Sequence, residues 1–313
     1  MLTNKSNKKY MKNDAQENIC PGHNACAGCG QLVAVRAVMK ALDKNTILTN
    51  ATGCLEVTTT AYPNSSWGLP WIHSLFENSS AVASGIRAAL NYKGQKNIKI
   101  VAQGGDGGTY DIGIGLISGM WERGDNILYI CYDTEAYSNT GIQASGSTPY
   151  GANTTTSPNS SCSDKQAACP LSPGSKQVKK DMIGIALAHG LKYVAQSTAG
   201  FPDDITNKVK KALTFDGPAY IQILSPCVPG WVINLNEAVK LGKLATTTGL
   251  YPLLEYENGI LTGKSKVPQP DPQVIEYLKP QGRFKHLFSQ KEFASDLDYI
   301  QRLADENIKK YGL

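Results

Sequence analysis

No run of 18 uninterrupted apolar residues occurs in this 313-residue chain, so nothing in it is suited to spanning a membrane as a helix. The N-terminal stretch MLTNKSNKKYMKNDAQEN is polar and lysine-rich and lacks the apolar stretch of a secretory signal, which makes a cytoplasmic protein the expectation. Net charge is small: 31 Lys and Arg stand against 26 Asp and Glu, and no basic run interleaves with aromatics. Nucleic-acid binding is therefore not expected, and a charge of +5 says little about an anionic partner. Internal repeats are absent too. What remains is a chain 41% hydrophobic, long enough to bury a large core in one α/β domain or two smaller ones.

Cysteine, by contrast, is plentiful. Eight thiols in a reducing compartment need a reason other than disulfides. Cys131, inside the strand-like ILYICYD, reads as a small buried apolar residue. Cys26 and Cys29, in HNACAGCGQL, do not: glycines flank them, and glycine lets backbone approach a ligand rather than packing a core. A C-x-x-C pair can close a disulfide, hold zinc or grip an iron–sulfur cluster, and the spacing alone leaves these open.

Strand-like and helix-like segments alternate. TILTNATG (46–53), NIKIVAQ (97–103), NILYICYD (126–133), LKYVAQS (191–197) and PAYIQIL (218–224) read as strands. Residues 79–93, 109–124, VKKDMIGIALAHG and PDDITNKVKKALTF read as helices. This order, with β-branched runs in the strands, predicts an α/β fold: a parallel sheet with helices on both faces, binding its ligand beyond the carboxyl ends of the strands. The loop 137–180 is long enough to be functional. Later, Asn258-Gly259 signals a hairpin, KVPQPDPQ an extended segment, and Phe293, Leu297, Ile300, Ala304 and Ile308 form one apolar helical stripe. Residues 1–20 read as a polar arm, 21–235 as the α/β domain, and 236–313 as an extension that wraps a partner subunit or packs on its own domain.

The chemistry collects where strands stop. Cys54 follows strand 46–52, Asp106 follows 97–103 within GGDGG, Thr134 follows 126–132, and Cys227 follows 218–224. A carboxylate set among glycines at a strand-to-helix turn suits a hard cation held between protein and a diphosphate, with backbone N–H groups reaching phosphate oxygens. Magnesium there needs a second oxygen ligand, and Thr134 with the Ala136 carbonyl offers it one β-α-β unit later. A lone G-D-G is more often a tight turn; the second site, 28 residues on, argues otherwise.

G-D-G with that spacing resembles the diphosphate-binding motif of thiamine diphosphate enzymes, with the usual closing Asn-Asn replaced by DTEAYSNTG. The variant, together with CAGCG, NATGCLEV, PWIHSLFENSSAVASG, GGDGGTYDIGIG, TPYGANTTTSP and GPAYIQILSPC, is similar to the β subunit of the 2-oxoacid:ferredoxin oxidoreductases over roughly residues 20–255. The resemblance implies the thiamine diphosphate-binding fold and three cofactors: thiamine diphosphate, Mg²⁺ and one [4Fe–4S] cluster. It assigns Cys26, Cys29, Cys54 and Cys227 to the cluster, and Asp106, Thr134 and the Ala136 carbonyl to Mg²⁺. Gly53, Gly105 and Gly107 would line the cofactor, with Asn139 beside the thiamine as the catalytic candidate. Cys20, Cys162 and Cys169 are left over; the last two, in CSDKQAAC, read as plain thiols, with a redox pair or a second metal site as alternatives. Neither Glu56 nor Glu77 matches the family's catalytic glutamate, which comes from the α subunit that binds the pyrimidine half. The chain alone is therefore expected to be inactive. Further expected partners are ferredoxin-like subunits, ferredoxin and, for pyruvate, coenzyme A. His23 and His73 could touch cofactor or substrate, though a structural hydrogen bond is commoner; His189 reads as a helix-end residue. Where pyruvate members continue SNTGIQ with Arg-Ser-Gly, this chain has Ala144-Ser145-Gly146, which leaves oxalate or another 2-oxoacid as alternative substrates. Readings from other classes are a non-catalytic iron–sulfur electron carrier and a structural Cys₄-zinc module.

Overall fold

A computed structural model describes residues 18–160, 171–270, 272–289 and 291–313. Cys162 and Cys169 lie outside the described residues, as does most of the N-terminal arm. In chain order the elements are α1 (Gly30–Met39), β1 (Thr46–Ala51), α2 (Cys54–Thr59), β2 (Trp71–Ser74), α3 (Ser79–Tyr92), β3 (Lys99–Gly105), α4 (Ile114–Glu122) and β4 (Leu128–Asp133). A two-residue ladder, β5 (Asn159–Ser160) and β6 (Ser172–Pro173), follows, then α5 (Met182–Ala188), β7 (Tyr193–Thr198), α6 (Pro202–Ala212), β8 (Ala219–Leu224) and the short α7 (Val228–Trp231). The chain closes with α8 (Ala238–Thr247), β9 (Leu254–Glu257), β10 (Ile260–Lys264), α9 (Val274–Leu278) and α10 (Ala294–Tyr311).

Eight strands form one sheet in the order β10-β9-β7-β8-β4-β3-β1-β2, parallel except where the β9–β10 hairpin joins β7. Because successive strand residues point to opposite faces, β8 sends Ala219, Ile221 and Ile223 to one core, with Val35 and Val38 of α1 and Ile205 and Val209 of α6. Tyr220 faces the other core, with Ala83 and Leu90 of α3, Ile117 and Met120 of α4, and Ala186 of α5. Helices therefore cover both faces, which is why the strands carry near-continuous apolar runs. No helix among the described residues is long and apolar enough to cross a membrane.

Two local departures from the sequence reading carry meaning. The helix expected over 109–124 begins instead with a π-type turn, Gly107–Asp111, and α4 starts only at Ile114. A Cβ at Gly107 would collide with the Tyr137 ring, and one at Gly108 would lie 2.8 Å from the Phe76 carbonyl, so this turn is shaped by neighbours packed onto bare backbone. β2, too short and proline-led to show a period, adds an edge strand beside β1.

Contacts cross the expected boundaries at residues 20 and 235. The Asn18 amide donates to the Met39 and Leu42 carbonyls, and Ile19 pairs with Trp67, so the body starts before residue 21. The 236–313 segment is not set apart from the α/β domain. Its hairpin extends the sheet, with Asn258 and Gly259 both at positive φ as a two-residue turn requires. Its apolar stripe, Phe293, Ile300 and Ala304, is buried with Leu241, Tyr277, Phe284 and Trp231 against Leu224 at the end of β8. That core is formed with its own chain. Ile300→Ala is expected to cost about 2–5 kcal/mol, read as a lowered Tm; a loss within error would mean the stripe is not packed as described.

Candidate functional site

β8, β4, β3 and β1 are consecutive neighbours in the sheet and all parallel, so their carboxyl ends open on one edge. Cys227, Thr134, Asp106 and Cys54 follow those four strands. Residues separated by up to 173 positions are thereby brought to one cleft, the position at which parallel sheets bind ligands.

The oxygen-bearing corner is tight. Thr134 donates to Asp106 Oδ1 from its backbone N–H (3.2 Å) and its hydroxyl (2.9 Å), and Thr134 Oγ1 stands 3.0 Å from the Ala136 carbonyl oxygen. Adjacent ligands of an octahedral Mg²⁺ with bonds of 2.0–2.1 Å lie about 2.9 Å apart, and Thr134 Oγ1 keeps that spacing from each of the other two oxygens. Ser145 donates to Asp106 Oδ2 at 2.6 Å and Ser138 to Thr134 Oγ1 at 3.0 Å. Burial, and then the Asp133 carboxylate, hold the Asp106 carboxyl well above the usual carboxylate range. An anion so placed lacks a counter-charge, which a divalent cation would supply.

Asp106, Thr134 and Ala136 line a cavity of about 310 Å³ with Gly53, Cys54, Gly104, Gly105, Gly107, Phe76, Asn50 and Asn139. A Cβ at Gly53 or Gly105 would meet only open space. Asn50 is fully buried, and its side-chain oxygen has no hydrogen-bond partner among the described residues. An orphaned buried acceptor costs about 1–3 kcal/mol, so its presence in this cavity suits a ligand that brings a donor. Glycine cradle, oxygen corner and free acceptor together fit a diphosphate cofactor with its cation.

The four thiols gather beside this cavity. Gly30 N–H donates to the Pro226 carbonyl (3.1 Å), joining the C-x-x-C turn to the segment that carries Cys227. Burial, and then the thiols of Cys227, Cys29 and Cys26, push Cys54 up to about 12. Burial likewise raises Cys29 and Cys227, although backbone N–H groups of Leu32 and Gln31 and, for Cys227, the Ser138 hydroxyl and Gly230 N–H favour the thiolates. The other three thiols are thus all felt at Cys54. Among the described residues no three His, Cys, Asp or Glu side chains are close enough to hold a single metal ion. Tetrahedral zinc needs sulfurs about 3.8 Å apart; a cubane, in which each iron takes its own thiolate, is spanned by a wider ring. Four thiols are the donor set that either zinc or a [4Fe–4S] cluster takes. Gly28 permits the turn: it sits at φ +75, and a Cβ there would collide with the Leu235 carbonyl. Gly28→Ala is expected to lose at least about 1–3 kcal/mol of stability from backbone strain and to lower iron bound per chain; wild-type iron and Tm would contradict this.

The other candidates are dispersed. His73 shares a hydrogen bond with Thr52 Oγ1 (2.8 Å) and lies 3.8 Å from Glu56, tying β2 to the start of α2. His189 bridges Ser118 and the Ile185 carbonyl at the end of α5. His23 keeps a buried ring nitrogen without a partner. Cys131 is fully buried in β4, and Cys20 is exposed. Ala144 donates its N–H to Thr156, while its neighbour Ser145 holds Asp106. Ser138, Ser145 and Asn50, all within quoted motifs, were not singled out in the sequence. Trp231, which donates to the Thr134 carbonyl at 2.9 Å, and Arg283 had no local signal at all.

The C-terminal TPP-binding domain of thiamine pyrophosphate enzymes matches residues 51–223. Pyruvate synthase subunit PorB of Methanocaldococcus jannaschii is 48% identical over 305 residues, covering 95% of this chain and 97% of that one. The chain belongs to the β subunits of the 2-oxoacid:ferredoxin oxidoreductases. A ketoisovalerate oxidoreductase subunit VorB from Pyrococcus abyssi is 39% identical, covering 92% of this β subunit and 90% of its own length. The fold of the β subunit is also that of a 2-oxoglutarate:ferredoxin oxidoreductase structure from Magnetococcus marinus, with TM-score 0.57, 20% identity, and coverage of 91% and 94%.

Proposed function

We propose that this β subunit carries thiamine diphosphate, Mg²⁺ and one [4Fe–4S] cluster, and works in oxidative decarboxylation of pyruvate to acetyl-coenzyme A with ferredoxin as electron acceptor. The observation that carries the reading is the convergence of oxygen corner and thiols at four adjacent strand ends. In it, the Asp106 carboxylate, Thr134 hydroxyl and Ala136 carbonyl hold the cation, and Gly53, Gly105 and Gly107 leave room for the diphosphate. Asn139 stands at the thiamine, and Cys26, Cys29, Cys54 and Cys227 hold the cluster. When bound, thiamine diphosphate supplies the electron sink that lets a 2-oxoacid lose CO₂, and the cluster accepts electrons singly. Burial of Asp106 keeps water from screening its charge on the cation.

Neither Glu56 nor Glu77 matches the family's catalytic glutamate, so the resemblance assigns that residue to the α subunit, and on this reading the chain is inactive alone. A ferredoxin-like subunit completes the path outward. Pyruvate is favoured over branched substrates by the higher identity to the pyruvate synthase relatives, although Ala144 stands where an arginine is usual. The deciding experiment follows low-potential dye reduction by the anaerobically purified complex with pyruvate, 2-oxoisovalerate and oxalate, each with and without coenzyme A. Coenzyme-A-dependent turnover of pyruvate supports the reading. Turnover of oxalate alone without coenzyme A would replace it.

A further inference from the structure

One buried arginine, contributed by the C-terminal segment, touches both cofactor-bearing segments. Arg283 is 4% exposed; its guanidinium donates to Glu135 Oε2 at 2.6 Å and to Gln281 Oε1 at 2.9 Å. The same guanidinium lies flat over the Trp231 ring, 3.8 Å from its centre. Its own backbone is pinned on either side: Gly282 N–H donates to the Val232 carbonyl (3.1 Å), and the Arg283 carbonyl accepts from Asn153 N–H (2.9 Å).

Glu135 lies between Thr134 and Ala136, the two loop residues of the oxygen corner, and adopts φ +61, a left-handed conformation that a glutamate does not take without being held. Three contacts hold it besides Arg283. Its N–H donates to Asp133 Oδ1 (3.0 Å), its carbonyl accepts from the Thr148 hydroxyl (2.8 Å), and its carboxylate takes Lys179 at 2.8 Å. Lys179 in turn reaches Asp133 at 2.6 Å. Burial opposes the Glu135 charge, yet Lys179 and Arg283 hold its carboxyl below the usual range. Arg283, Glu135, Lys179 and Asp133 thus form a chain of alternating charge under the loop, and removing Arg283 leaves two buried carboxylates to share Lys179.

Trp231 is the other end. It closes α7, whose N-cap is Cys227, and its indole N–H donates to the Thr134 carbonyl. Of the three loop carbonyls, those of Thr134 and Glu135 are therefore occupied by Trp231 and Thr148. Against that of Ala136 stand the hydroxyls of Thr134 (3.0 Å) and Ser138 (3.4 Å), both of which line the cavity.

We propose that Arg283 is a positioning residue for both sites, fixing the Thr134–Ala136 loop through Glu135 and the Cys227 segment through Trp231. The inference rests on reading Asp106, Thr134 and Ala136 as cation ligands and Cys227 as a cluster ligand. Its guanidinium charge rests on Trp231, at the end of the four-residue helix that Cys227 caps. Loss of that charge disfavours the more negative, reduced cluster; loss of the Glu135 charge, which offsets it, does the reverse.

The test uses the complete complex, purified without oxygen, as wild type, Arg283→Met and Glu135→Gln. Iron per chain, the Mg²⁺ concentration that half-saturates thiamine diphosphate binding, and the cluster midpoint potential by EPR-monitored titration are measured. With iron retained, both variants are expected to need about tenfold or more Mg²⁺, the loss typical when support for a metal ligand is removed. The potential should move negative in Arg283→Met and positive in Glu135→Gln. Opposite signs cannot come from simple loosening of the fold. If iron is retained and neither quantity moves, or both potentials move the same way, the proposal is overturned. Should Arg283→Met fail to assemble, Glu135→Gln decides: a positive shift with raised Mg²⁺ demand supports it, and wild-type values refute it. Wild-type complex without iron or without Mg²⁺-dependent thiamine binding would instead refute the underlying reading of the two sites.

Discussion

Asp106→Ala abolishes Mg²⁺-dependent thiamine diphosphate binding while leaving iron at the wild-type level. The expected loss exceeds about 100-fold, since residues that merely support a metal ligand already cost 10–100-fold. Asp106 is the one carboxylate at the oxygen corner, and both of its oxygens are engaged, by Thr134 and by Ser145. Its removal takes away the anion that balances the cation and unfastens both hydroxyls. The four thiols belong to other segments, α2, the turn before α1 and the N-cap of α7, and these are joined by the Asn24–Thr58 and Gly30–Pro226 hydrogen bonds rather than through Asp106. Calorimetric titration with thiamine diphosphate and Mg²⁺, alongside iron analysis, checks this. Simultaneous loss of iron would show that the two sites depend on each other.

Cys54→Ala produces the reverse pattern. A cubane takes one thiolate per iron, so removal of one ligand leaves an iron exposed and the cluster incomplete. Iron per chain should fall well below wild type, the EPR signal of the reduced cluster should disappear, and dye reduction should stop. Thiamine diphosphate should still bind, because Cys54 contributes only a thiol to the cavity wall. Cys20→Ser is the matched control: Cys20 is exposed and takes no part in the thiol group, so iron should be unchanged. Equal iron in Cys54→Ala and wild type would remove Cys54 from the ligand set.

Much of the site is legible locally. GGDGG, the C-x-x-C turn and the Pro-Cys pair each declare a backbone geometry through their own glycines and prolines, and the Asn258-Gly259 turn declares its hairpin. Apolar period 2 and period 3.6 are local too, so strands and helices could be placed before any contact was known. Less legible were features imposed by neighbours. The π-type turn at Gly107–Asp111 exists because Phe76 and Tyr137 press on the loop, and β2 is a strand only because β1 pairs with it. The C-terminal stripe is legible as apolar, but partner subunit and own domain stayed equally open as its target, since a stripe does not name the surface that buries it.

The sequence by itself determined the α/β class, the residues at the strand ends and the family to which they belong, because these are properties of short stretches and their order. Only the tertiary structure decided that β8, β4, β3 and β1 stand side by side, so that four separate signals become one cleft. It alone placed Trp231 on Thr134 and Arg283 on Glu135, 148 residues away. Strand order and buried ion pairs are set by non-local packing, in which the energy lies in pairs of distant residues, and no window of sequence contains both members.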